Sequence, residues 1–227
     1  MKSVAPMEIY QDLLSHYGEQ HWWPAESAFE MMVGAILTQN TNWNNVEKAL
    51  HNLREAGVLD ADVLATCNRE TLETWIRPAG FFRQKTKSLF KLCLFYHDHK
   101  GVKGMKRWPM KVLRHFLLDV HGIGPETADS ILLYAIEKPV FVVDTYTKRI
   151  FHRLGILPER IHKYNDVQHF FHQRTSSVLS LYQQFHALIV IHAKEHCRKK
   201  ARCDACPLLH CCQYEYENNN SEQKISN

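Results

Sequence analysis

A membrane-length apolar run is missing from this chain of 227 residues, and so is a secretory leader, since the opening MKSVAPMEIY has no apolar core. These absences predict a cytosolic protein with no membrane span, lying with the nucleoid if the cell is bacterial. Strand patterns are nearly absent as well. VFVVD, residues 140–144, is the only β-branched run, and it is short. No internal repeat is present. Charge of one sign is also scarce: 28 Lys and Arg stand against 24 Asp and Glu, a net of +4. That excess is too small to prove a nucleic-acid partner by itself. What is abundant is apolar residues, at 45%, enough for a real core. The length allows one compact domain or two small ones sharing a core.

The pattern is helix after helix. FEMMVGAILTQN (29–40) has apolar residues at helical spacing, and NVEKALHNLREAG (45–57) stops at Gly57. Residues 71–79 form a short amphipathic piece, and QKTKSLFKLCLFYHDHKG (84–101) a longer helix. YTKRIFHRLGI, DVQHFFHQRTSS and LSLYQQFHALIVIHAKEHC continue the series. The expected fold class is all-α with short connections. The closing segment, 214–227, is polar and predicts disorder.

The most informative stretch is HGIGPETADSILLYA, residues 121–135, followed by VVDTYTKRI, which places Asp144. Gly122-Ile123-Gly124 joins two apolar helical runs. Glycine admits φ > 0 and lets another backbone come close. A tight turn that opens a helix presents free N–H groups and the positive end of the helix dipole, a ready site for phosphate. The stretch reads as a helix-hairpin-helix that grips one DNA strand by its backbone, with Asp144 able to face that strand. Asp144 also looks like a helix N-cap, and the two roles are compatible.

Five of seven cysteines lie within residues 197–212. Cys197-x5-Cys203-x2-Cys206-x5-Cys212 forms a compact ladder of four thiolates, which in a reducing compartment suits zinc or an iron–sulfur cluster. Spacing does not choose between the metals, and Cys211 is an alternative to Cys212 as the fourth ligand. Cys67 and Cys93 sit in apolar helical contexts and read as core. Lys194, Arg198, Lys199, Lys200 and Arg202, with His192 and His196 among them, form a basic run able to meet phosphates. A metal at the ladder would fix that loop.

Together these features resemble the helix-hairpin-helix (HhH-GPD) DNA glycosylase superfamily in its endonuclease III branch, from about Phe29 to Cys212. The resemblance implies a six-helix barrel domain, residues 28–138, and a second domain from both chain ends, residues 1–27 and 139–213, with a DNA cleft between them. It implies a monomer, a partner of double-stranded DNA with a damaged base, and a [4Fe-4S] cluster on the ladder, with zinc as the alternative. The first gap of the ladder is one residue shorter than the branch usually has. Backbone contacts would come from Gly122, Gly124, Thr127, Lys148, Arg198, Lys199 and Lys200. In bifunctional members the hairpin carries a lysine that forms a Schiff base with the sugar. Here that position is Glu126, and a carboxylate cannot form an imine.

Trp22-Trp23-Pro24, LTQNTNW (37–43), GIGPETAD and FHALIVIHAK are similar to the 3-methyladenine DNA glycosylase III subfamily. By matching position, Trp22 and Trp43 would stack the extruded base and Trp23 and Pro24 would shape the wall. Glu126 and Lys194 would line the pocket, and Gln39 would fill the gap left in the duplex. A base must leave the stack before its glycosidic bond is reachable. Cleavage builds positive charge on the sugar, which a carboxylate, Asp144, would stabilise while orienting water. A cationic alkylated purine between tryptophans gains on the order of 0.5–2 kcal/mol. The expectation is a monofunctional glycosylase for alkylated purines. The alternatives are an endonuclease III-like glycosylase and lyase on oxidised or mismatched pyrimidines, and a non-catalytic damage-binding module.

Overall fold

The computed structural model describes residues 4–20 and 22–214. The chain forms two compact units, one of Trp23–Lys138 and one of Met1–Trp22 with Pro139–Asn227. Along the chain come α1 (Pro6–Tyr17), α2 (Ala28–Leu37), α3 (Trp43–Glu55), α4 (Ala61–Thr66), α5 (Arg69–Trp75), α6 (Phe82–Asp98), α7 (Gly101–Met105), α8 (Met110–Asp119), α9 (Pro125–Ser130), α10 (Thr145–Arg153), α11 (Tyr164–His172) and α12 (Leu179–Glu195). No strand occurs among the described residues, and 140–144 runs as extended coil. The all-α expectation holds. Of the tail at 214–227, all but Tyr214 lies outside the described residues.

In the unit Trp23–Lys138, α2 is buried from Phe29 to Leu37, as its apolar composition all round requires. The amphipathic α3 shows one stripe, Val46, Ala49, Leu50 and Leu53, to the core. It starts two residues earlier than periodicity predicts, because Asn42 caps it by accepting the Asn45 amide at 3.1 Å. That puts Trp43 on the first helical turn. The short α4, capped by Asp60, is invisible to a reading based on long periodic runs.

In the other unit, α12 is the central helix, burying Tyr182, Phe185, Leu188 and Ile189. Phe141 stacks on Phe171 at 4.2 Å, and Phe151 meets Phe171 edge-on at 4.7 Å. Such pairs add about 0.5–1.5 kcal/mol each beyond burial. Phe141 belongs to the β-branched run, whose apolar residues are all buried without pairing as a strand. Cys93 is core, as expected, while Cys67 is only half-buried at the end of α4.

Candidate nucleic-acid interface and active site

The hairpin between α8 and α9 has the geometry that its glycines suggested. Gly122 takes φ +83°, and a Cβ there would come within 2.0 Å of Ser88 Oγ on α6. Gly124 is different: its φ is −91°, and a Cβ would meet nothing within 4 Å. Neither positive φ nor close packing demands glycine at 124, though glycine is favoured over alanine at a helix N-cap. Gly124 is the N-cap of α9 with no side-chain cap, and exposed Glu126 sits in the first turn. Arg114 of α8 clamps Asp129 of α9 through two bonds, Nε to Oδ1 at 2.6 Å and a terminal nitrogen to Oδ2 at 3.0 Å. This buried fork fixes the angle of the two helices.

Gln39 lies just past α2, and its side-chain amide donates to Gly122 O and to Thr127 Oγ1, both at 2.9 Å. The residue expected to fill a duplex gap therefore also braces the hairpin. Both of its N–H groups are committed there. Thr127, expected to meet DNA backbone, is buried and takes part in this brace.

The aromatic residues fall into two groups. Trp23 meets Trp43 edge-on at 5.3 Å and tilts against Tyr134 at 5.4 Å, all within the unit Trp23–Lys138. Tyr134 was missed. The α9 helix runs directly into a π-helical turn, Ile131–Ala135, and periodicity at 3.6 cannot foresee which face such a turn presents. Trp22 belongs to the other unit, where Lys194 Nζ lies 5.6 Å from its ring centroid. Partial burial holds the Lys194 amine below the ordinary lysine range. Pro24 is exposed.

Asp144 is the N-cap of α10 and is 7% exposed. Its Oδ1 accepts from the Thr147 amide at 2.6 Å and from Thr147 Oγ1 at 2.7 Å. Oδ2 lies 3.8 Å from Nε2 of buried His186 on α12. Burial lowers the His186 pKa, and the Asp144 charge pulls against that shift. Burial thus favours the neutral imidazole. Nothing in the sequence singled it out, since a lone histidine on an apolar helix face reads as packing.

Cys197, Cys203, Cys206 and Cys212 all line one pocket, together with His192 and apolar residues such as Leu154. Cys211 is buried and its thiol donates to Leu208 O at 3.4 Å. No group of three His, Cys, Asp or Glu among the described residues is arranged to hold a single metal ion. Arginines of α10 hold the loop after Cys197. Arg149 Nε donates to Cys197 O at 2.8 Å, and Arg153 donates to Cys197 Sγ at 3.4 Å, Arg198 O at 2.6 Å and Lys199 O at 2.9 Å. The side chains of Arg198, Lys199 and Lys200 are exposed, and Lys148 is half-buried on α10.

Phe81 was also missed. It is 60% exposed and left-handed at φ +47°, directly after Gly80 at φ +70°. A bulky residue held in that region is uncommon and stores strain. Its only sequence signal is an aromatic pair following glycine.

The helices α8 and α9, joined by the Gly122–Gly124 turn on an all-helical frame, make a helix-hairpin-helix protein. The chain belongs to the HhH-GPD superfamily of base excision DNA repair proteins, whose profile matches residues 33–176, and is a DNA repair glycosylase of that family. It is 45% identical over 208 residues to MJ1434 of Methanocaldococcus jannaschii, whose name proposes a DNA repair glycosylase, covering 90% of this chain and 94% of that one. It is 29% identical over 194 residues to endonuclease III of Sulfolobus acidocaldarius, covering 85% and 84%. The H. pylori 3-methyladenine DNA glycosylase MagIII, solved with 1,N6-ethenoadenine, superposes with a TM-score of 0.75 at 33% identity, covering 85% of this chain and 98% of that one. A non-covalent endonuclease III–DNA complex gives a TM-score of 0.81 at 22% identity, covering 96% and 99%, a likeness of fold. No helix among the described residues is long and apolar enough to cross a membrane.

Proposed function

We propose that this chain hydrolyses the N-glycosidic bond of an extruded alkylated purine in double-stranded DNA, without lyase activity. The observation that carries the reading is the Trp23, Trp43 and Tyr134 group in the same unit as a hairpin whose exposed first turn bears Glu126. Electron-rich rings and a carboxylate suit a cationic base, which departs with little acid assistance. The likeness to MagIII supports the same substrate class. Hairpin N–H groups and the 198–200 cations hold phosphate, and Gln39 Oε1 and the Phe81 ring enter the stack. Asp144 stabilises the oxocarbenium-like sugar with its Oδ2 edge while Thr147 fixes Oδ1, and it orients the attacking water. With glutamate at the hairpin position, no amine there attacks the sugar.

The four cysteines around one pocket, with an arginine donor on Cys197, fit a group held by four thiolates, which we read as a [4Fe-4S] cluster with zinc as the alternative. Such a cluster supplies a structural clamp on 197–212 and a one-electron couple. Cys212 is taken as fourth ligand because it lines the pocket. The Arg149 and Arg153 bonds orient the basic loop from the side of α10.

The test is base release from duplexes with single lesions: 3-methyladenine, 7-methylguanine, hypoxanthine, thymine glycol and uracil, each with and without alkali. Release of alkylated purine with strand breaks only after alkali is expected. Breaks without alkali at thymine glycol would replace this reading with the endonuclease III-like one, which the Sulfolobus relative favours. Tight DNA binding with no base release would leave a damage-binding module.

A further inference from the structure

Lys85 sits on α6 and is 3% exposed, a depth at which an ammonium needs compensating partners. Its Nζ donates to Leu37 O and to Ala79 O, both at 2.8 Å. Leu37 is the last residue of α2, two before Gln39. Ala79 closes the short 3-10 turn Arg77–Ala79, two before Phe81. Both carbonyls are terminal ones that no residue of their own helix satisfies. One turn further along α6, Ser88 abuts Gly122 of the hairpin. Gln39 in turn bonds that same glycine. The Gln39 loop, the Phe81 tip and the hairpin are therefore all referenced to one face of α6, within a single unit.

We infer that Lys85 is a positioning residue that sets the spacing of the Gln39 loop and the Phe81 tip, so that the two enter a duplex together. This rests on the duplex-probing part of the proposed function. A single apolar side chain of equal length would fill the volume but leave both carbonyls without a donor. Each loop would then relax by its own route, and probing by two tips needs them at one fixed separation. The phosphate grip would persist, because the hairpin helices are joined by the Arg114–Asp129 fork, which does not run through Lys85.

The experiment compares the full-length wild type with Lys85→Met and Lys85→Gln. The probes are an undamaged duplex and a duplex with a tetrahydrofuran abasic analogue opposite 2-aminopurine. Wild type is expected to prefer the abasic duplex and to change the 2-aminopurine emission on binding. In Lys85→Met, that preference falls at least tenfold and the emission change is lost, while affinity for undamaged duplex stays within twofold. Lys85→Gln keeps N–H donors but loses the charge and about one bond of reach, and it decides the matter if the methionine variant does not fold; its preference falls at least threefold. An unchanged preference, or a parallel loss on both duplexes, overturns the assignment of Lys85 alone. No preference and no emission change in the wild type overturns the duplex-probing reading itself, and Lys85 with it.

Discussion

The fork that joins the hairpin helices yields an asymmetric prediction. Asp129 is 0% exposed, and the Arg114 side chain is 20% exposed. Removing one partner of a buried ion pair costs about 3–5 kcal/mol, because the survivor is left as an uncompensated buried charge. That cost falls on the partner that cannot reach water. Arg114→Met takes the cationic partner from Asp129, which has no route to solvent, so a loss of about 3–5 kcal/mol is expected. Asp129→Asn leaves an arginine with part of its guanidinium already wet and a neutral acceptor of the same shape. Its loss should be nearer 1–3 kcal/mol, the cost of weakened charged hydrogen bonds. The double change Arg114→Met with Asp129→Leu removes both charges and should recover most of the deficit. Guanidinium unfolding followed by circular dichroism measures all three, and a coupling energy follows from the cycle. Equal losses for the two single variants, or a greater loss for Asp129→Asn, would refute the argument from burial. A double variant no better than Arg114→Met would do the same.

Asp144→Asn should lower single-turnover base release at least a hundredfold yet leave unfolding within about 0.5 kcal/mol, since asparagine caps α10 equally well. Gly124→Ala should leave stability within about 0.5 kcal/mol but weaken duplex affinity in a filter-binding assay, whereas Gly122→Ala should cost about 1–3 kcal/mol of stability, from positive φ and the Ser88 overlap. Cys212→Ser should abolish iron incorporation on anaerobic purification, and Cys211→Ser should keep it, read by iron analysis and visible absorbance. Burial brings the Lys85 amine down to about 8 in the folded chain. Between that value and about 10.4 the unfolded chain binds more protons, so stability rises with pH there, by on the order of 3 kcal/mol. The penalty is present in full below pH 8, and Lys85→Gln should lack the rise in urea titrations.

Features that depend on neighbours in the chain are legible in the amino-acid sequence by itself. Gly122 needs positive φ, Asp144 caps a helix, and the ladder from Cys197 to Cys212 crosses few residues, so residue type and spacing are enough. The all-helical class follows from periodicity for the same reason: helical bonds close within a few residues. What only the tertiary structure decided were partnerships across long separations. Gln39 bonds Gly122 and Thr127, more than eighty positions away. Lys85 spends its charge on carbonyls 48 and 6 residues off. Tyr134, within a π turn, meets Trp23 more than a hundred positions away, and Cys212 lines the pocket while adjacent Cys211 is buried. A hydrogen bond or a facing direction of this kind is set by how helices pack, and packing is a property of the whole unit.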